Sequence, residues 1–354
     1  MKSNNEISNL DFLRAIAVLL VLVFHLLRFF GAETVGHFSL SEMGLLGVLF
    51  FFVHTCLVLM FSLERQTAKT GDAKLFTGFM IRRIFRIYPL SVAAVLVIYF
   101  LKIPLGHLAA HQLSSTSLGA GGVLSNLLLS QNLTNTISIL GPLWSLPYEI
   151  QMYIFLPGLF LLARRIRSVW PLVGLWVLFV GVGLAHARFG HMPDLVKYIP
   201  CFLPGIMAYK LWGKVPAKWS FYGWAALIAL LCVTSTIFYT PVVGWITCLA
   251  LGLLVPRFAE MTSPLLKRGS HLIAKYSYGI YLSHYFCIWL AFQKLGGLPA
   301  VAQWLIFLVT AITIPVALFH GIEQPMIHVG SNVANRLLAP RPQPAALVGE
   351  TVNS

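Results

Sequence analysis

Stretches of about 20 mostly apolar residues recur along nearly the whole chain, each long enough to cross a bilayer as a helix. The runs are too long for barrel strands and show no alternation of period two. Helices are therefore expected, because in hydrocarbon every backbone N–H and C=O needs a partner inside the protein. About ten spans follow, at 11–30, 44–63, 87–103, 143–163, 169–186, 195–211, 220–238, 242–257, 276–292 and 301–320. A shorter apolar patch at 123–131 is expected to lie in the interface or re-enter. Composition points the same way. With 58% hydrophobic residues, 10% charged and a mean hydropathy of +0.81, the chain cannot hide its apolar surface in a water-soluble core. The expected fold is all-α, a polytopic transmembrane helical bundle.

A net charge of +14 would suit nucleic acid until the charges are placed. With the amino terminus in the cytoplasm, 19 of the 25 Lys and Arg residues fall on cytoplasmic segments. Only Arg28, Lys102, Arg188, Lys197 and Lys294 face the other side, and Arg14 lies inside the first span. The positive-inside rule thus accounts for the basicity and puts both termini in the cytoplasm, with no nucleic-acid partner required. The five cysteines all lie in apolar spans without metal or redox spacing, so neither a metal site nor a disulfide framework is expected. The first span carries Asp11 and Arg14 and lacks a small-residue cleavage site, which marks a retained helix rather than a signal peptide. One membrane domain is expected over 1–330. The stretch 331–354, with its Ala-Pro-Arg-Pro run, reads as a disordered cytoplasmic tail. The longest polar interval, about 104–142, is rich in Ser, Asn, Gln and Gly and suits acceptor binding on the outer face.

An ionisable group at membrane depth is costly, so each one is a functional candidate. Arg14 and His25 share the first span. Eleven residues at 100° each turn about 1100°, close to three full turns, so both lie on one face about 16 Å apart. Snorkelling of Arg14 to headgroups and packing of His25 is an equally good account of these two alone. Glu149 lies about one turn into a later span with Tyr153 at i+4, and has no basic neighbour in sequence. It needs a cation, a proton or water, and a structural arginine partner would also satisfy it. Arg82, Arg83 and Arg86 form a basic cluster whose forks suit phosphate oxygens, although lipid-headgroup anchoring explains them as readily. His284 and His54 read as core residues, and His37, His107, His111, His186 and His191 as solvated histidines of outer loops.

Taken together, these residues resemble the acyltransferase family 3 of integral membrane acyltransferases. Leu10-Asp11-Phe12-Leu13-Arg14 followed by His25 is similar to the family's Arg-x10-His first helix, and Gly44 to Val53 to its glycine-then-phenylalanine second helix. Arg82-Arg83-Ile84-Phe85-Arg86-Ile87-Tyr88-Pro89 resembles its basic motif. Trp144-Ser145-Leu146 with Glu149 and Tyr153 resembles its Trp-Ser-Leu element. The run from Tyr276 to His284 and Ile322-Glu323-Gln324-Pro325 resemble its closing signatures. The order holds from about residue 8 to 328. Two departures stand out. His54-Thr55-Cys56 replaces the usual Ser-Gly-Phe, which removes a glycine expected for close helix packing. Ile150 replaces the second of a pair of carboxylates, so Glu149 must act alone.

The resemblance implies an O-acyltransferase of the bacterial inner membrane, using acyl-CoA, usually acetyl-CoA, as donor substrate with no permanently bound cofactor. The implied acceptor is a glycan, a lipid-linked glycan or a small hydroxylated metabolite, most simply an exported or cell-surface glycan. It implies that Arg82, Arg83 and Arg86 cradle coenzyme A phosphates and that His25 is the general base. Glu149 is then expected to orient or stabilise the imidazole, and Arg14 to pair with donor phosphate or a carboxylate. Trp144, Ser145, Tyr153, His284 and Glu323 would support the site. An acyl-histidine intermediate stays open. The competing class is a proton-coupled secondary transporter with His25 and Glu149 as relay, which the same topology would serve.

Overall fold

The computed structural model describes residues 7–338 apart from 36–37, 41, 73, 191–192 and 239. His37, His191 and residues 339–354 of the expected tail therefore lie outside the described residues. Among the described residues twelve α-helices carry the fold: α1 (Ser8–Phe29), α2 (Met43–Thr70), α3 (Leu75–Leu101), α4 (Ala120–Leu127), α5 (Leu146–Arg165), α6 (Trp170–Phe189), α7 (Ile199–Leu211), α8 (Phe221–Ile237), α9 (Pro241–Leu254), α10 (Pro264–Ile288), α11 (Ala300–Leu318) and α12 (Gln324–Leu338). The described residues are all-α apart from two short hairpins, one of which pairs His107–Ala109 antiparallel with Gln112–Ser114.

Among the described residues, six helical segments are long and apolar enough to cross a membrane: Ser8–Phe29, Met43–Lys69, Leu75–Leu101, Gly141–Arg165, Trp170–Phe189 and Ala300–Leu338. Ile199–Leu211, Phe221–Ile237 and Pro241–Arg257 are shorter apolar helices. Local chemistry sets several starts. Ser220 accepts from the Tyr222 N–H at 3.2 Å and Thr240 from the Val243 N–H at 3.2 Å, each satisfying a first-turn donor.

Two boundaries depart from the sequence reading. The third span was expected from 87, yet α3 begins at Leu75, so the arginine cluster sits well inside a helix. The apolar patch at 123–131 falls on the end of the short helix α4 and the turn after it, with α4 lying against α3. Helix α12 runs through 331 to Leu338, where tail was expected. Its small and polar residues have a seat: Cβ atoms built on Gly330 and Gly78 would stand 2.4 Å from Phe85 and 2.5 Å from Leu338. The end of the chain's last helix is thus keyed into α3.

Close helix approach explains the core. Cβ atoms on Gly44 and Gly47 would stand 2.2 Å from Phe24 and 2.6 Å from the Ala17 carbonyl, so α2 presses directly on α1. The glycine missing from His54-Thr55-Cys56 is supplied from across the interface. A Cβ on Gly205 of α7 would lie 2.4 Å from the Val53 carbonyl and 2.6 Å from Cys56. The close packing persists with the glycine on the partner helix.

Tertiary bonds sort the connections to two ends of the bundle. Ser8 donates to Glu260 at 2.8 Å, Arg164 pairs with Asp72 at 3.0 Å, and Trp219 bridges to Phe258. These lie at the end rich in Lys and Arg, called here the basic end. At the far end the His111 N–H donates to Phe29, and Gln293 exchanges bonds with Leu113 at 2.7 and 3.1 Å. Helices α1 and α10 run parallel between the ends: Asp11 meets His271, Arg14 meets Ser277 and His25 meets His284.

Candidate active site

Arg14 and His25 lie on one face of α1, as their spacing requires, and that face is turned to α10. Arg14 donates from Nε to Ser277 Oγ at 2.6 Å. Its guanidinium enters a cavity of about 100 Å³ inside the bundle. Arg83 and Arg86 of α3, Glu149 and Tyr153 of α5, and His54 of α2 share the wall with it. Arg14, Arg83, Arg86 and Glu149 keep part of their surface exposed, because it faces this space.

The arginine cluster divides. Helical spacing places Arg83 and Arg86 three residues apart on the cavity side. Arg82 is turned from the cavity, donating to Gln66 Oε1 at 2.8 Å and Asn335 Oδ1 at 2.8 Å, and so ties α2, α3 and α12 together. The expected convergence of three guanidiniums is a convergence of two, joined by Arg14. A helix cannot present i, i+1 and i+4 to one small space when neighbours compete for the outermost fork.

The carboxylates are held differently. Tyr153 donates its hydroxyl to Glu149 Oε1, the i+4 contact that the spacing suggests. Glu323 is buried, and Arg86 Nη2 stands 3.7 Å from its Oε1. It reaches that depth from the π-helical turn Phe319–Glu323 between α11 and α12. Neither Glu323 oxygen, nor Arg83 Nε, nor His54 Nδ1 has a hydrogen-bond partner among the described residues. Buried polar atoms in that condition are uncommon and mark a place where a ligand or ion can complete the bonding.

His25 does not line this cavity. Its Nδ1 stands 3.0 Å from Nε2 of His284, and its ring packs edge-on to Tyr285 with centroids 4.9 Å apart. The orienting contact that was expected from Glu149 therefore comes from His284. Tyr281 is the wall between the two places: it lines the cavity, donates to the Pro142 carbonyl at 2.6 Å, shares a bond with Ser145 Oγ at 2.7 Å, and has its ring centre 6.2 Å from that of His284. Trp144 stays outside the cavity lining, against Tyr148 and Tyr198 at 6.1 and 5.8 Å between centroids.

Over residues 7–320 the chain matches a family model described as an acyltransferase domain. It belongs to acyltransferase family 3. No curated protein and no solved structure matches it. The protein is thus a membrane acyltransferase, and acyl transfer rather than transport is the activity that its family carries.

Four residues of the acyltransferase's cavity escaped the sequence reading. Ser277, Tyr278 and Tyr281 line it from α10, and His54 lines it from α2. The signal for the first group was present in Tyr276 to His284: positions 277, 281 and 284 are i, i+4 and i+7, one stripe of a helix. No such signal existed for His54, which sequence alone gives no reason to separate from a core histidine.

Proposed function

We propose that this acyltransferase moves an acyl group, acetyl in the simplest case, from cytoplasmic acyl-CoA to a hydroxyl of an exported or cell-surface glycan across the bacterial inner membrane. The observation that carries the proposal is the cavity lined by Arg14, Arg83 and Arg86, whose wall residue Tyr281 has its ring centre 6.2 Å from that of His284, the histidine paired with His25. The basic end then faces the cytoplasm, as charge asymmetry asks. Guanidinium forks match phosphate oxygens, and Arg83 and Arg86 are the two whose forks remain available at the cavity. Arg82 acts as a structural clamp instead. A cavity of about 100 Å³ is too small for the whole donor, so its phosphates meet Arg83 and Arg86 while the nucleoside stays outside against the basic surface.

His25 is the general base, reached by the acceptor hydroxyl from the far end, where the 107–114 hairpin and the polar interval around it lie. Its imidazole takes the hydroxyl proton as the oxygen attacks the thioester carbonyl. Glu149, held by Tyr153, is the counter-charge for the cavity arginines and acts on the donor's side of Tyr281. Glu323 does the same for Arg86.

The test is reconstitution of the purified protein in lipid with isotope-labelled acetyl-CoA and a polysaccharide acceptor. Label should reach the acceptor as an ester, and a folded His25→Ala variant should leave it unlabelled. Undiminished transfer by that variant removes His25 from the role. Mass spectrometry of surface glycans from cells with and without the protein then names the acceptor.

A further inference from the structure

The two histidines carry more information than their proximity, because a backbone carbonyl fixes the direction of every hydrogen bond between them. Nδ1 of His284 stands 3.2 Å from the carbonyl oxygen of Ile280, one turn below it on α10. A carbonyl only accepts, so Nδ1 of His284 carries the hydrogen. In a neutral imidazole the other nitrogen then has the lone pair, and His284 Nε2 is an acceptor. That acceptor faces Nδ1 of His25 at 3.0 Å. Had His25 its hydrogen on Nε2, two lone pairs would meet at that distance. Ring centres 5.0 Å apart and planes 27° apart fit an edge-to-edge bond lying near both ring planes.

We propose that His284 is a positioning residue that locks His25 in the Nδ1–H tautomer and leaves Nε2 of His25 as the basic nitrogen. The chain of donation runs from His25 Nδ1 to His284 Nε2, and from His284 Nδ1 to the Ile280 carbonyl. This rests on the reading of His25 as general base and specifies which atom of it reacts. His25 is partly buried, and the acceptor hydroxyl must come to it on the side away from His284.

The chemistry follows with its atoms balanced. The acceptor oxygen forms a bond to the thioester carbonyl carbon while its proton passes to His25 Nε2. The C–S bond then breaks, the sulfur leaves with the electron pair, and the proton on Nε2 is returned to it. The products are an ester and a free thiol, and His25 is again the Nδ1–H tautomer. The proton cannot leave by the far end of the chain, because its last member is an amide carbonyl, far too weak a base to take it. The pair therefore differs from a triad ended by a carboxylate: it sets direction without supplying negative charge, and the proton must leave by the nitrogen through which it arrived.

Two measurements on the full-length protein in lipid bilayers test this. The first is solid-state NMR of protein labelled with 15N in the histidine rings, with His25→Gln used to identify the His25 signals. The expected result is a protonated Nδ1 and an unprotonated Nε2 on His25, shifting toward the opposite tautomer in His284→Leu. A protonated Nε2 on His25 in the unaltered protein overturns the proposal. The second is kinetic. His284→Leu should lower kcat by about 100-fold or more while the KM for acyl-CoA stays within about two-fold, since a misplaced tautomer disables the base and not donor binding. His284→Gln, whose amide oxygen can accept from Nδ1–H, should recover to within about ten-fold of the parent rate. Equal loss in both variants, each folded and binding coenzyme A, also overturns it. If His25→Ala transfers undiminished, the general-base reading fails on its own, and the NMR result still decides the tautomer.

Discussion

The cavity and the histidine pair sit on opposite sides of Tyr281, and they are built on contrary plans. The cavity is rich in charge and poor in hydrogen bonds: Arg83 Nε and His54 Nδ1 lack partners among the described residues, as do both oxygens of Glu323 behind Arg86. The histidine pair is poor in charge and bonded in a fixed order through to the Ile280 carbonyl. Unfilled bonding capacity suits a place where a charged molecule arrives and leaves. A completed chain suits a group that must hold one geometry through every turnover. On the proposed function the contrast separates binding from chemistry by eleven residues on α1, from Arg14 to His25, and by three on α10, from Tyr281 to His284.

The sharpest way to break the comparison is at the histidines. His25→Ala should reduce transfer by about 100- to 10,000-fold while coenzyme A binding is kept, and a matching loss of binding would merge the two regions into one. The next largest effect belongs to the cavity and is one of stability. Arg86→Ala leaves Glu323 buried without its cation, which should destabilise the folded protein by on the order of 3 kcal/mol. Unfolding in detergent followed by intrinsic fluorescence would measure it. Adding Glu323→Gln should restore much of the loss, because the penalty comes from the orphaned charge. A double variant as unstable as the single would show that the pair is not the cause.

Tyr153→Phe tests whether Glu149 depends on its tyrosine. Removing the donor to a carboxylate at this depth should cost about 1–3 kcal/mol of stability and leave the tautomer of His25 unchanged. A change in the His25 signals would reconnect Glu149 with the histidines. The smallest effect separates neighbours in the basic motif. Arg83→Ala should raise the KM for acyl-CoA by about ten-fold, worth about 1.4 kcal/mol. Arg82→Ala should leave KM unchanged and cost about 1 kcal/mol of stability through its bonds to Gln66 and Asn335. The reverse outcome would put Arg82 at the donor.

How much of this could be read in advance depended on sequence distance. The shared face of Arg14 and His25, and the approach of Tyr153 to Glu149, follow from helical periodicity and are both present. Their partners across the bundle were not legible. Ser277 and His284 are more than 250 residues from α1 in sequence, and no local rule aligns two helices that far apart. The start of α3 at Leu75 was misplaced for a related reason. Hydropathy marks where lipid begins, whereas the helix continues as long as packing and hydrogen bonds support it. The close approach at Cys56 is not legible in the sequence, because composition within α2 cannot show what α7 offers through Gly205.

The π-helical turn at Phe319–Glu323 has a practical consequence. A helix that contains such a turn carries, in effect, one surplus residue, held there by the structure on either side. Gly321 lies within it, and a Cβ built there meets nothing within 4 Å. Removing Gly321 would let the ladder close as an ordinary α-helix and shift the residues of the turn itself, with the two halves nearly keeping their facing. Glu323 would swing off Arg86 while every charge in the protein stayed in place. A one-residue deletion would then act as a dial on the position of the carboxylate, where a substitution can act only as a switch on its existence.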